Sequence, residues 1–262
     1  MQRGIRKWAA SDRAALIFVL AAFVLSRFLY RALGVRFDAR SLDWYWQFID
    51  PGLLATRPLE SLAHLHGQPP LFNAFLAAVL QLPERLREPA FAATFAVLGL
   101  ALACGLFALQ RELGVPARWS ALATALFVAS PAAALYENLL FYTYPVLVML
   151  VWAALLLYCF CSRGRTAALV GFCALLAGLV LTRSLFHLAY LGAVLLGLAI
   201  AAGLARRRVV RWGGIALLIA GVGRALFPQA HDSLAFGVLI LAIALPGWVQ
   251  YARTVRGSTM VE

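Results

Sequence analysis

Eight apolar runs, each near the length that crosses a bilayer, leave this chain few folds to choose from. They are Ala14–Leu33, Pro89–Leu109, Trp119–Leu135, Leu139–Cys161, Ala167–Leu181, Leu185–Ala205, Gly213–Phe227 and Leu234–Tyr251. About 20 consecutive apolar residues carry a helix across the hydrocarbon. Inside that layer every backbone polar group must be satisfied by the chain itself, which favours helices. Only 13% of the residues are charged, against about 25% in a soluble domain. The expected fold is all-α: a polytopic membrane helix bundle of about eight transmembrane helices, forming a single integral-membrane domain over residues 1–262.

The first run follows Arg3, Arg6, Lys7 and Arg13, as the apolar core of a signal peptide would. It is long, however, and no small-residue cleavage site precedes Arg27 and Arg31, so it reads as a retained anchor with a cytoplasmic N-terminus. Cys104, Cys159, Cys161 and Cys173 all lie in apolar runs, where a thiol packs as a small hydrophobe. Cys159 and Cys161 lack metal-ligand spacing, which argues against zinc or redox chemistry. The net charge of +12 does not point to nucleic acid, because the basic residues sit in short loops between apolar runs.

A ninth apolar run, Pro69–Leu82, decides the topology. If it crossed, the cluster Arg206, Arg207, Arg208 and Arg211 would face outward, against the bias of Lys and Arg toward the cytoplasmic side. It is also short of a span, and its length suits a re-entrant or interfacial helix. Residues 34–88 then form an outer loop with interfacial helices, both termini are cytoplasmic, and most of the acids lie at or beyond the outer surface.

Within that loop, Leu42, Tyr45, Trp46 and Ile49 recur at helical spacing opposite Asp43, Gln47 and Asp50. This predicts an amphipathic interfacial helix over Leu42–Asp50, ended by Pro51 and Gly52, with Asp43 and Asp50 on its wetted face. Pro58 is expected to open a second short helix. Asp38 lies at the mouth of the first span between Arg36 and Arg40. A paired, partly buried carboxylate there suits either catalysis or a structural ion pair.

Two further outer turns carry polar groups. Glu137 is the lone acid between the third and fourth spans, near Tyr142 and Tyr144, and an isolated acid at membrane depth marks a candidate site. Arg183, with His187 in the next outward turn, is suited to binding phosphate bidentately or to anchoring in the headgroups. His64 and His66 point to opposite sides of a helix and make poor joint metal ligands. Gln68 and Asn73 flank Pro69 and Pro70, where they are placed to satisfy backbone groups bared at a re-entrant helix start.

In these residues the chain resembles the GT-C class of integral-membrane glycosyltransferases, which includes protein mannosyltransferases and aminoarabinose transferases. The resemblance consists of an inside-to-outside first span, an acid soon after it (Asp38), interfacial helices, the helix start His66-Gly67-Gln68-Pro69-Pro70-Leu71, and a second acid in the next outer loop (Glu137). It runs from the first span to Arg183 and His187; members usually have more spans and often a soluble outer domain. The resemblance implies a bacterial inner-membrane enzyme that moves a sugar, with inversion, from a polyprenyl-phosphate donor to an acceptor at the periplasmic face. Asp38 would be the general base, and Glu137 would orient the donor or hold a divalent cation. Arg183, His66, Gln68, His187 and Tyr142 would bind the donor and its departing phosphate. Membrane lipid is the expected surrounding, and association with other copies or other membrane proteins stays open. The same groups also suit a lipid carrier or flippase component without chemistry, an inactive relative, or a membrane scaffold. Ion-coupled transport ranks lower, since no inverted repeat is evident.

Overall fold

Prolines decide where most of the described helices begin. The computed structural model describes residues 10–43, 48–64 and 69–183. Within them α2 (Pro51–Thr56), α3 (Pro58–His64), α4 (Pro70–Leu80) and α7 (Pro131–Glu137) each start on a proline, while α5 (Glu84–Glu112) and α6 (Ala117–Val128) follow Pro83 and Pro116. Proline fits there because the first helical N–H has no intrahelical partner to lose. The remaining helices are α1 (Ala10–Ala32), α8 (Thr143–Arg163) and α9 (Thr166–Thr182). Gly164, in the left-handed region at φ 65°, closes α8 and turns the chain into α9. No strand occurs among the described residues; the one strand-like pairing there is a parallel bridge between Asp38 and Leu139.

Among the described residues three helices, α1, α5 and α8, are long and apolar enough to cross a membrane, and α6 with α7 makes a fourth if counted as one span bent by 59°. This is the pattern of a helical membrane protein. The fifth expected span falls on α9, whose 17 residues place it among the shorter apolar helices rather than the candidate spans. The expected spans Leu185–Ala205, Gly213–Phe227 and Leu234–Tyr251 lie outside the described residues.

Two sequence expectations need correction. The third run, Trp119–Leu135, is not one straight helix, because Pro131 has no N–H to continue it. Ser130 instead restarts the chain as an N-cap, its hydroxyl accepting from the Ala133 N–H at 3.3 Å. The amphipathic helix over Leu42–Asp50 does not run to Asp50. A single 3-10 turn spans Arg40–Asp43, residues 44–47 are outside the described set, and Phe48 and Ile49 are buried in the core. Pro51 opens α2 rather than ending a helix, with Asp50 accepting from the Leu53 N–H at 3.1 Å. A carboxylate followed by proline is an N-terminal signal.

The spans run alternately up and down, and each end is marked by ion pairs. At one end Asp12 of α1 meets Arg111 of α5 at 2.7 Å, and Glu112 meets Arg163 of α8. At the other end the close of α1 and the start of α5 line one cavity. The intervening segment, α2 to α4, therefore returns to the side it left. Helix α4 has 11 residues, about 16 Å of helix, too short to cross. It packs against α2, α3, α5 and α9, as expected for a non-crossing element.

Among the described residues two apolar cores hold this arrangement. Phe48, Leu54, Phe72, Leu76, Phe91, Phe95, Leu140 and Tyr144 join α4 to α5 and α8 beneath the loop. Val19, Phe23, Ala103, Phe107, Ala121 and Val128 join α1 to α5 and α6. Asn73 secures the start of α4, accepting from the Ile49 N–H at 3.0 Å and donating to the Pro69 carbonyl at 2.9 Å. That is the backbone-satisfying role its position suggested.

Candidate functional site

The site begins with a charge inside the first span. Arg27 of α1 is paired with Glu137 at the end of α7, Nε to Oε1 at 2.8 Å and Nη2 to Oε2 at 2.6 Å, with side chains only 16% and 5% exposed. A guanidinium at that depth is tolerable only when paired and hydrogen-bonded. Arg27 also donates to the Val128 carbonyl at 2.6 Å and lies 4.2 Å over the Phe23 ring. The Tyr30 hydroxyl donates to the Ala129 carbonyl at 2.8 Å, and the Tyr144 hydroxyl to Glu137 at 2.8 Å. The helix break at Ser130 bares the Val128 and Ala129 carbonyls, and α1 supplies the donors that cover them. Gly99 of α5 leaves the room: a Cβ there would collide with the Glu137 carboxylate and the Phe23 ring.

Beyond the break, the chain pairs with the segment leaving α1. The Asp38 N–H donates to the Asn138 carbonyl at 2.7 Å, the Leu140 N–H donates to the Asp38 carbonyl at 2.9 Å, and the Ser41 hydroxyl donates to the Leu140 carbonyl. The two sequence-predicted acids thus belong to two segments held together by backbone. Their carboxylates do different things. Glu137 is buried and fully engaged. Asp38 is one-third exposed and receives the Arg40 guanidinium at 3.0 and 2.7 Å and the Arg40 N–H at 2.9 Å. The Arg40 side-chain bond and then its backbone bond hold the Asp38 carboxyl below its usual 3.8, against a weaker opposing effect of burial.

A cavity of about 680 Å³ opens between α1 and α5 beside these segments. Arg27, Tyr30 and Arg31 line it from α1, Arg36 and Phe37 from the segment after it, Glu84, Arg85 and Glu88 from the start of α5, and Glu137 and Asn138 from the far wall. Asp38 sits between Phe37 and its backbone partner Asn138 but is not itself a lining residue.

Of the sequence-predicted binding residues, Tyr142 and Arg183 are brought together elsewhere. Arg183 lies 5.2 Å over the Tyr142 ring, and Tyr142 packs against Phe48 and Phe72. Neither lines the cavity. His66, Gln68 and His187 lie outside the described residues. Among the described residues no three His, Cys, Asp or Glu side chains gather into a metal-holding group.

Sequence reasoning missed Arg27, Tyr30 and Gly99, and placed Tyr144 near Glu137 without giving it a role. Arg27 had a readable signal: an arginine well inside an apolar run needs a partner, and Glu137 was the lone acid in its turn. Gly99 had none, since only the packed structure shows what stands where its side chain would be. Compared with known protein families, curated proteins and solved structures, the chain matches none.

Proposed function

We propose that the protein is a membrane transferase of the GT-C kind, moving a sugar from a polyprenyl-phosphate donor to an acceptor hydroxyl at the outer, periplasmic face of a bacterial inner membrane, with both termini cytoplasmic. The observation that carries this reading is the backbone bridge between Asp38 and Leu139. It supports a single site built from the acid after the first span and the loop that follows the second acid, beside a cavity rich in arginine. In the reaction the acceptor oxygen bonds to the sugar carbon as that carbon's bond to phosphate breaks. The hydroxyl proton passes to Asp38, and the bonding electrons leave with the lipid phosphate.

Asp38 is ionised through the neutral range because Arg40 stabilises its charged form, which makes it available but a weak base. In this reading the Arg40 guanidinium turns aside as the acceptor hydroxyl takes its place. Glu137, fully occupied by Arg27 and Tyr144, orients the donor through Arg27 rather than by direct contact. The deciding experiment is sugar transfer from a labelled polyprenyl-phosphate sugar in membranes containing Asp38→Asn. General-base loss predicts a fall of about a hundred- to ten-thousandfold, while full activity sinks the assignment.

A second reading, a lipid carrier without chemistry, is favoured by the engagement of both Asp38 oxygens by Arg40 and by their position outside the cavity lining. It predicts that polyprenyl phosphate binds and that Asp38→Asn changes nothing.

A further inference from the structure

The cavity between α1 and α5 divides its chemistry by depth. At the mouth stand Arg31, Arg36 and Arg85, all exposed. Among the described residues Arg31 and Arg85 have no carboxylate partner, and Arg36 is held by a bond to the Arg31 carbonyl at 3.0 Å. Three guanidinium groups around one opening match the several acceptor oxygens of a phosphate. Glu84 and Glu88 share the mouth, one turn apart on α5. They would repel a bare anion and accept hydrogen bonds from hydroxyl groups beside it.

Below the mouth the α5 wall becomes apolar and small, through Pro89, Ala92, Ala93 and Ala96. From Glu84 to Ala96 the helix descends about 18 Å, from headgroup depth into the hydrocarbon. Three residues beyond Ala96, Gly99 of α5 stands against the Phe23 ring of α1. The Arg27 and Glu137 pair at that depth is neutral as a unit and offers no spare charge.

We propose that this cavity is a binding site for a phosphate ester of a hydroxylated headgroup, carried by a lipid whose chain lies along the alanine wall of α5. The phosphate sits among Arg31, Arg36 and Arg85, and the hydroxyl groups meet Glu84 and Glu88. The same headgroup chemistry occurs in a water-soluble polyol phosphate, so the test separates the two sources. The site deepens the reading proposed above, whose lipid-phosphate donor has this headgroup chemistry, and rests on it for the choice of ligand class; binding is measured with no transfer reaction present, so the two can fail separately.

The test uses the full chain in phosphatidylcholine nanodiscs, with photoreactive phosphatidylglycerol as the probe and the yield of labelled protein as the readout. Phosphatidylglycerol is expected to label the protein and photoreactive phosphatidylcholine is not. The double variant Arg31→Gln/Arg85→Gln should weaken labelling about tenfold or more, through lost charge-assisted hydrogen bonds. Ala93→Phe fills the wall without changing any charge and should also weaken it. Arg57→Gln, an exposed arginine outside the cavity, should leave it unchanged. Competition by glycerol 3-phosphate supports the site and assigns it a soluble ester, whereas labelling that resists this competitor supports the lipid-borne form. Equal labelling by phosphatidylcholine overturns the proposal, as does retention of labelling by both cavity variants. Loss of sugar transfer with binding intact would count against the reaction alone.

Discussion

Arg27 and Glu137 lie 110 positions apart in the chain and meet in a two-pronged ion pair, with oxygen to nitrogen distances of 2.8 and 2.6 Å. The pair joins the first span to the end of a broken one. Removing one partner leaves the other charged, buried and alone, a loss of about 3–5 kcal/mol in comparable buried pairs. Arg27→Met or Glu137→Leu alone should therefore lower the unfolding temperature in detergent sharply. The double variant, which removes both charges, should recover much of the loss.

Gly99 should tolerate no side chain. Gly99→Ala would place a methyl against the Glu137 carboxylate and the Phe23 ring, and overpacking of this kind costs about 1–3 kcal/mol. Thermal unfolding of that variant should fall by a matching amount, while Gly114→Ala, whose Cβ would meet nothing within 4 Å, pays only for its backbone conformation at φ 92°.

Acid should free Arg40 from Asp38 while the backbone bonds of Asp38 to Asn138 and Leu140 stay in place. The folded carboxyl lies below its usual 3.8, so its pair with Arg40 contributes fully above the unfolded value and is lost as pH falls through the folded one. In Arg40→Gln the Asp38 carboxyl should titrate upward toward 3.8, which a carboxyl-labelled NMR titration reads directly. If the transferase reading holds, the acid limb of the rate profile should shift upward in the same variant.

Topology can be read by labelling. In a background where the four free cysteines are replaced, Cys at position 36 and Cys at position 85 should react with an impermeant maleimide from the same side. Cys at position 165, at the opposite end of the bundle, should react from the other. Labelling of positions 36 and 85 from opposite sides would require α4 to cross.

Asp50→Ala should cost about 1 kcal/mol, because its carboxylate caps α2 through the Leu53 N–H. A residue that merely faced water on a longer helix would cost nothing measurable in the same unfolding assay.

The apolar runs made α1, α5 and α8 legible as helices long enough to cross, since transfer free energy is a property of composition and length. The shortness of Pro70–Leu80 was legible too, and the expectation that it does not cross rests on that length. Two prolines depart from the sequence expectation in opposite ways: Pro51 opens α2 where a helix end is expected, and Pro131 breaks a run expected to be continuous. A proline by itself does not say whether it ends a helix or starts one; the residue before it does, Asp50 in one case and Ser130 in the other. Within the site, Asp38 and Glu137 stood out as acids in an oily chain. Their joining by backbone at Asn138 and Leu140 did not, because a two-residue bridge between distant loops leaves no periodic trace.

The broken helix has a consequence for how the protein is made. The carbonyls of Val128 and Ala129 are covered by Arg27 and Tyr30, groups synthesised long before them. Bare carbonyls are costly in hydrocarbon, so α6 and α7 cannot settle at membrane depth as an independent pair. The first span waits as their receptor, and the order of synthesis is also an order of assembly.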